Sequence, residues 1–97
     1  MEVNFKVSPK SKRSLLEIYG DILSAIKAEM QFSQDGAVVT RIQYQTRAPY
    51  IRFKGYLETM KELNLIQLLN GKIVITQIGE ELLLNYSRIK TLLRRAS

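Results

Sequence analysis

The side chains able to do chemistry in this sequence are mostly cationic. Fifteen Lys and Arg stand against nine Asp and Glu, a formal charge of +6 over 97 residues, which is the balance of a surface that meets polyanions. Cys and His are both missing. With them go disulfides, zinc and iron–sulfur ligation, thiol nucleophiles and the commonest general acid–base group. The carboxylates do not replace them. Glu80 and Glu81 are neighbours that diverge on a helix, and Glu58 with Glu62 is an i,i+4 pair without a base beside it. No catalytic residue, cofactor or metal site is expected, and no buried charged constellation indicates a small-molecule ligand.

The cations fall into groups. Lys6, Lys10, Lys12 and Arg13 surround Pro9 and form either an electrostatic handle or a solvated lead-in to a helix. Arg41, Arg47, Arg52 and Lys54 lie mid-chain, and Lys72 stands beside a turn. Arg88, Lys90, Arg94 and Arg95 suit the C-terminal end of a helix, where the backbone dipole favours positive charge. Which of them converge depends on the elements that carry them.

A chain of this length makes one domain, and 45% apolar with 25% charged residues is an ordinary globular composition. No run approaches the ~18 apolar residues of a membrane span, and residues 1–13 lack the apolar stretch of a signal peptide. A cytoplasmic protein without a membrane partner is therefore expected.

Period-two alternation of Val3, Phe5 and Val7 marks residues 1–13 as a basic strand or arm. Ser14 and Glu17 have capping-box spacing and open a first helix, whose stripe runs through Leu15, Tyr19, Ile22, Ile26 and Met30. Gly20, within that stripe, points to close helix packing, and Asp35-Gly36 to the turn that follows. Ala37 to Val39 is one small strand. Thr40 and Gln43 repeat the capping-box spacing ahead of a short second helix that ends near Arg47. Pro49 opens a third helix carrying Phe53, Tyr56, Leu57, Met60 and Leu63, which ends near Asn64. Asn70-Gly71 then forces a two-residue hairpin turn. Its register pairs Leu69 with Lys72, Leu68 with Ile73, Gln67 with Val74 and Ile66 with Ile75, so Ile66, Leu68, Ile73 and Ile75 share an apolar face. Thr76 caps a last helix with a stripe at Ile78, Leu82, Tyr86, Ile89 and Leu93.

Helices two and three around a tight turn form the DNA-reading helix-turn-helix arrangement. With Phe53 inward and about 100° per residue, Leu57 and Met60 also point inward. The outer face holds Ile51, Gly55, Glu58, Thr59 and Glu62, flanked by Arg52 and Lys54. The N-terminal half of such a helix enters the major groove, which makes Ile51, Arg52, Lys54 and Gly55 the candidate base contacts. Arg pairs bidentately with guanine, Ile51 suits a thymine methyl, and Gly55 permits close approach. Arg41 and Arg47 are placed for phosphates, Tyr50 either reaches a phosphate through its hydroxyl or packs its ring, and Lys72 at the hairpin end is placed for the backbone.

Several stretches resemble one family: Leu16-Glu17-Ile18, Asp21-Ile22-Leu23, Thr40-Arg41-Ile42, Tyr50, Phe53-Lys54, Tyr56-Leu57, Leu65-Ile66, Gly79-Glu80, Leu82-Leu83, Tyr86 and Arg88-Ile89. The pattern, from Arg13 to Leu93, is similar to that of the small archaeal winged-helix DNA-binding proteins. That family includes crenarchaeal chromatin-associated proteins and regulators of archaea and their viruses. The resemblance implies a winged-helix fold, double-stranded DNA as partner and a dimer formed by C-terminal helices. Where relatives commonly have Asn-Leu-Ser before the Tyr, this chain has Arg47-Ala48-Pro49, and Gly55 stands where they often have Glu.

The expected architecture is α+β, mainly α: a winged helix-turn-helix at 14–76 with a two-stranded wing, followed by a C-terminal helix at 77–97. If that helix reaches Ala96 it is about 30 Å long, more than the ~25 Å diameter of a compact domain of this size. Part of it should project, exposing Leu82, Tyr86, Ile89, Leu92 and Leu93 as the interface of a homodimer. The expected function is a nucleoid-associated, dimeric transcription regulator. The alternatives are a chromatin-type protein with little sequence preference and a protein-interaction adaptor, the latter favoured by Glu58 and Glu62 on the presumed reading face.

Overall fold

The computed structural model describes residues 14–96, so the expected strand or arm at 1–13 lies outside the described residues. Four helices, α1 (Leu15–Met30), α2 (Val39–Thr46), α3 (Tyr50–Glu62) and α4 (Gln77–Ala96), frame three short strands. The strands are β1 (Ala37–Val38), β2 (Ile66–Leu69) and β3 (Lys72–Ile75).

Local chemistry sets most boundaries. The Ser14 hydroxyl accepts from the Glu17 amide at 3.1 Å, and the Ser14 amide donates to the Glu17 carboxylate at 3.2 Å, closing the expected capping box of α1. Asn64, at φ 63°, ends α3 in a Schellman turn. Its amide reaches Lys61 O and the Leu65 amide reaches Met60 O, both at 2.9 Å. The Thr76 hydroxyl accepts from the Gly79 amide at 3.0 Å and donates to the Asn64 carbonyl at 2.6 Å, so one side chain caps α4 and ties it to the end of α3.

Two helix starts differ from expectation. The cap of α2 is Val38, with no side-chain bond, and not Thr40, because β1 passes straight into the helix. Pro49 is the cap of α3, not its first residue, and its carbonyl accepts the first helical bond from Phe53 at 2.8 Å.

Asn70 and Gly71, both at positive φ, make the two-residue turn between β2 and β3. All four expected pairs form. The wing, however, is part of a three-stranded antiparallel sheet in the order β1-β3-β2, with Ala37 opposite Ile73 and Val38 opposite Lys72. Gly36 brings β1 in: at φ 133° it turns beneath Lys72, and a β-carbon there would stand 2.7 Å from that of Lys72. On the apolar face Ile66 and Ile73 are fully buried and Ile75 is half-buried, whereas Leu68 remains 44% exposed.

Ile22, Leu23 and Ile26 of α1, Ile42 of α2, Phe53 and Met60 of α3, and Ile66 and Ile73 of the sheet converge on one core. Truncating a side chain such as Phe53 there costs about 3–5 kcal/mol.

The packing of α4 differs from its sequence stripe. Gly79 lies against the Leu65 carbonyl with no room for a side chain, which rotates the helix so that Leu83 and Tyr86 point inward and Ile78 outward. Tyr86 lies over Gly20 of α1, where a methyl would overlap its ring, and its hydroxyl donates to Asp21 at 3.2 Å. It is 6% exposed, so the expectation that Tyr86 faces a second chain is corrected: its ring is covered by its own first helix. Leu82 is half-buried against the same core. Past Tyr86 the apolar flank of α4 continues as Ile89, Leu92 and Leu93, at 44%, 62% and 65% exposure.

Candidate nucleic-acid interface

Packing of α3 fixes its outer face. Phe53, Leu57 and Met60 are buried, as their spacing requires, so Tyr50, Ile51, Arg52, Lys54 and Gly55 emerge together over the first turn and a half. Ile51 is 84% exposed. Its transfer from water would contribute only if a partner covers it. Gly55 is equally informative: a β-carbon there meets nothing within 4 Å, so packing inside the molecule gives no reason for a residue that weakens a helix by ~1 kcal/mol.

The connection from α2 to α3 presents a further cation. Arg47, at φ 59°, takes the left-handed position that ends α2, its amide bonding Gln43 O at 3.0 Å, and its side chain is exposed. The Thr46 hydroxyl donates to the same Gln43 carbonyl at 3.1 Å, which fixes the turn from two sides.

Intramolecular ion pairs divide the candidate cations. Arg41 Nε bonds Glu29 Oε1 at 3.0 Å while Gln45 Nε2 holds Glu29 Oε2 at 2.7 Å, so Arg41, expected at a phosphate, is bound to the end of α1. Lys72, expected to meet the DNA backbone, is bound to Asp35 at 2.9 Å. The Ser33 hydroxyl donates to the same carboxylate at 2.7 Å. Together the hydroxyl and the ammonium hold the Asp35 carboxyl below its ordinary range. Lys61 pairs with Glu58 at 3.5 Å, drawing one acidic group of the outer face to the side. Arg47, Arg52 and Lys54, by contrast, form no ion pair among the described residues.

Tyr44, assigned no contact from the sequence, is 85% exposed on the outer surface of α2. Residues two apart on a helix differ by about 200°, so the full burial of Ile42 already sends Tyr44 outward.

Among the described residues no group of three or more acidic or ligating side chains is placed to hold a metal ion, and no helix is long and apolar enough to cross a membrane. No curated protein matches the sequence. A family model described as winged helix-turn-helix matches residues 12–94. Domains of that kind are typically DNA-binding and non-enzymatic. Four helices with a small antiparallel sheet, an exposed third helix and a match over most of the sequence agree: the chain belongs to the winged helix-turn-helix family.

Proposed function

We propose that the protein is a dimeric transcription regulator that binds double-stranded DNA by inserting the N-terminal half of α3 into the major groove. The observation that carries this reading is the division of the cations. Arg52 and Lys54 on α3 and Arg47 in the turn before it are exposed and without ion pairs among the described residues, while Arg41, Lys72 and Lys61 are engaged by acids. A free guanidinium on the outer face suits the O6 and N7 acceptors of guanine, and Ile51 beside it suits a thymine methyl. Gly55 lets the helix axis approach the base edges. Arg47 and Tyr50, at the edge of the helix, set its position through phosphates.

Two such helices, joined through Ile89, Leu92 and Leu93 of paired α4 helices, would read successive half-sites. On that reading the protein works on the nucleoid, in the cytoplasm. A competition assay tests the regulator. Fragments carrying the preferred site should displace a labelled complex about a thousandfold better than a random duplex. Arg52→Ala with Lys54→Ala should remove that advantage. Equal competition by both DNAs would replace the regulator with a chromatin-type protein.

A further inference from the structure

Between α3 and the wing lies a cavity of about 150 Å³ that the sequence did not disclose. Its floor is Phe53, Leu57 and Ile66, all buried. Val39 and Leu68, the wing residue left 44% exposed, complete its apolar lining. An apolar cavity of about this size accommodates one benzene-sized ring.

The mouth is charged, and its charge is unbalanced. Lys54 and Lys61 line it, with Glu58 the one acid among the described residues that does so. Lys61 holds that acid at 3.5 Å, while Lys54 has no ion pair among the described residues. The half-exposed ring of Tyr50 completes the lip. An occupant must therefore offer an apolar body no larger than one ring and a single negative head.

We propose that this cavity is a binding site for a small ring-bearing carboxylic acid, whose carboxylate is held by Lys54 while Lys61 neutralises Glu58 beside it. The body fills the space under Leu68 and removes that side chain from water. The head occupies the Lys54 ammonium, which the DNA reading assigns to the duplex, so bound acid and bound DNA oppose each other. This opposition rests on the proposed function; the cavity itself does not.

Benzoate is the probe. Titrated into the isotopically labelled full chain without DNA, it should shift the amide signals of Val39, Phe53, Leu57, Ile66 and Leu68 along one saturating curve, with a Kd of about 1 mM or tighter. Acetate, which has the head alone, and benzyl alcohol, which has the ring without the charge, should each bind about fivefold more weakly or worse. Lys61→Met should weaken benzoate to a similar degree. Leu68→Trp, at an exposed position, should fill the cavity and abolish the shifts.

Absence of a saturable response by about 10 mM benzoate would overturn the site, as would equal binding of benzyl alcohol or unaltered binding by Leu68→Trp. In a second arm, saturating benzoate should raise the apparent Kd for DNA at least about threefold over an equal concentration of chloride. Unchanged DNA affinity with intact benzoate binding would overturn the opposition alone. If the protein binds no DNA, the first arm still judges the cavity.

Discussion

On the proposed reading, Gly55 and its neighbours are what separates a reading face from an ordinary solvated surface. A hydrated helix face gains nothing from an isoleucine 84% exposed, nor from a glycine beside which there is open space. Gly55→Ala separates the two accounts because fold and recognition should respond with opposite signs. Alanine at this unobstructed helical position should raise unfolding stability by about 0.5–1 kcal/mol in a denaturant titration. In an anisotropy titration the same variant should bind DNA several-fold more weakly, because its methyl holds the helix off the base edges. A gain in stability with unchanged affinity would remove Gly55 from the interface. The paired cations teach a related lesson. Arg41 and Lys72 had the charge and the approximate place of phosphate contacts, but Glu29 and Asp35 lie 12 and 37 residues from them in the chain. Side-chain type and local spacing contain no information on such partners.

Among the elements, α4 packs on the domain through its first half, where Leu83 and Tyr86 are buried. Its first half is held by Gly79 on the Leu65 carbonyl and by the ring of Tyr86 over Gly20. Gly20→Ala should therefore cost about 1–3 kcal/mol by overpacking, read as a lower unfolding midpoint at unchanged slope. Its second half offers Ile89 and Leu92 to solvent. Ile89→Glu with Leu92→Glu should convert a dimer into a folded monomer by sedimentation; an unchanged mass would exclude this flank from the interface. The hairpin was legible to the residue because Asn70-Gly71 admits one turn geometry, and a two-residue turn leaves no freedom of register. The capping box of α1 and the outer face of α3 were legible because each depends on residues a turn apart. By contrast, pairing of β1 with β3 joins segments 36 residues apart through Ala37 and Ile73, and no local pattern announces it. Tyr86 was assigned to the wrong neighbour for the same reason. Its periodicity identifies an apolar stripe but not which surface, α1 or a second chain, covers it. The α2 cap at Thr40 failed because a strand that runs directly into a helix leaves the start to backbone geometry instead of a hydroxyl.

At the scale of the whole molecule, a core from all four helices and the sheet holds α3 as a rigid, outward-facing element, and the remaining charge works around it. A formal charge of +6 per chain would draw the proposed dimer to a polyanion, and Arg47, Arg52 and Lys54, exposed and without ion pairs among the described residues, are the cations left to meet it. On the proposed reading, three cations in each of two chains would neutralise about six phosphates, which is the quantity a salt series measures. Fluorescence anisotropy of the purified protein on a random duplex of about 30 base pairs, repeated over a range of salt, therefore tests the central claim most directly. Log K should fall with log salt at a slope of about −5. Absence of binding even at low salt would contradict the account and leave the exposed face of α3 to a protein partner.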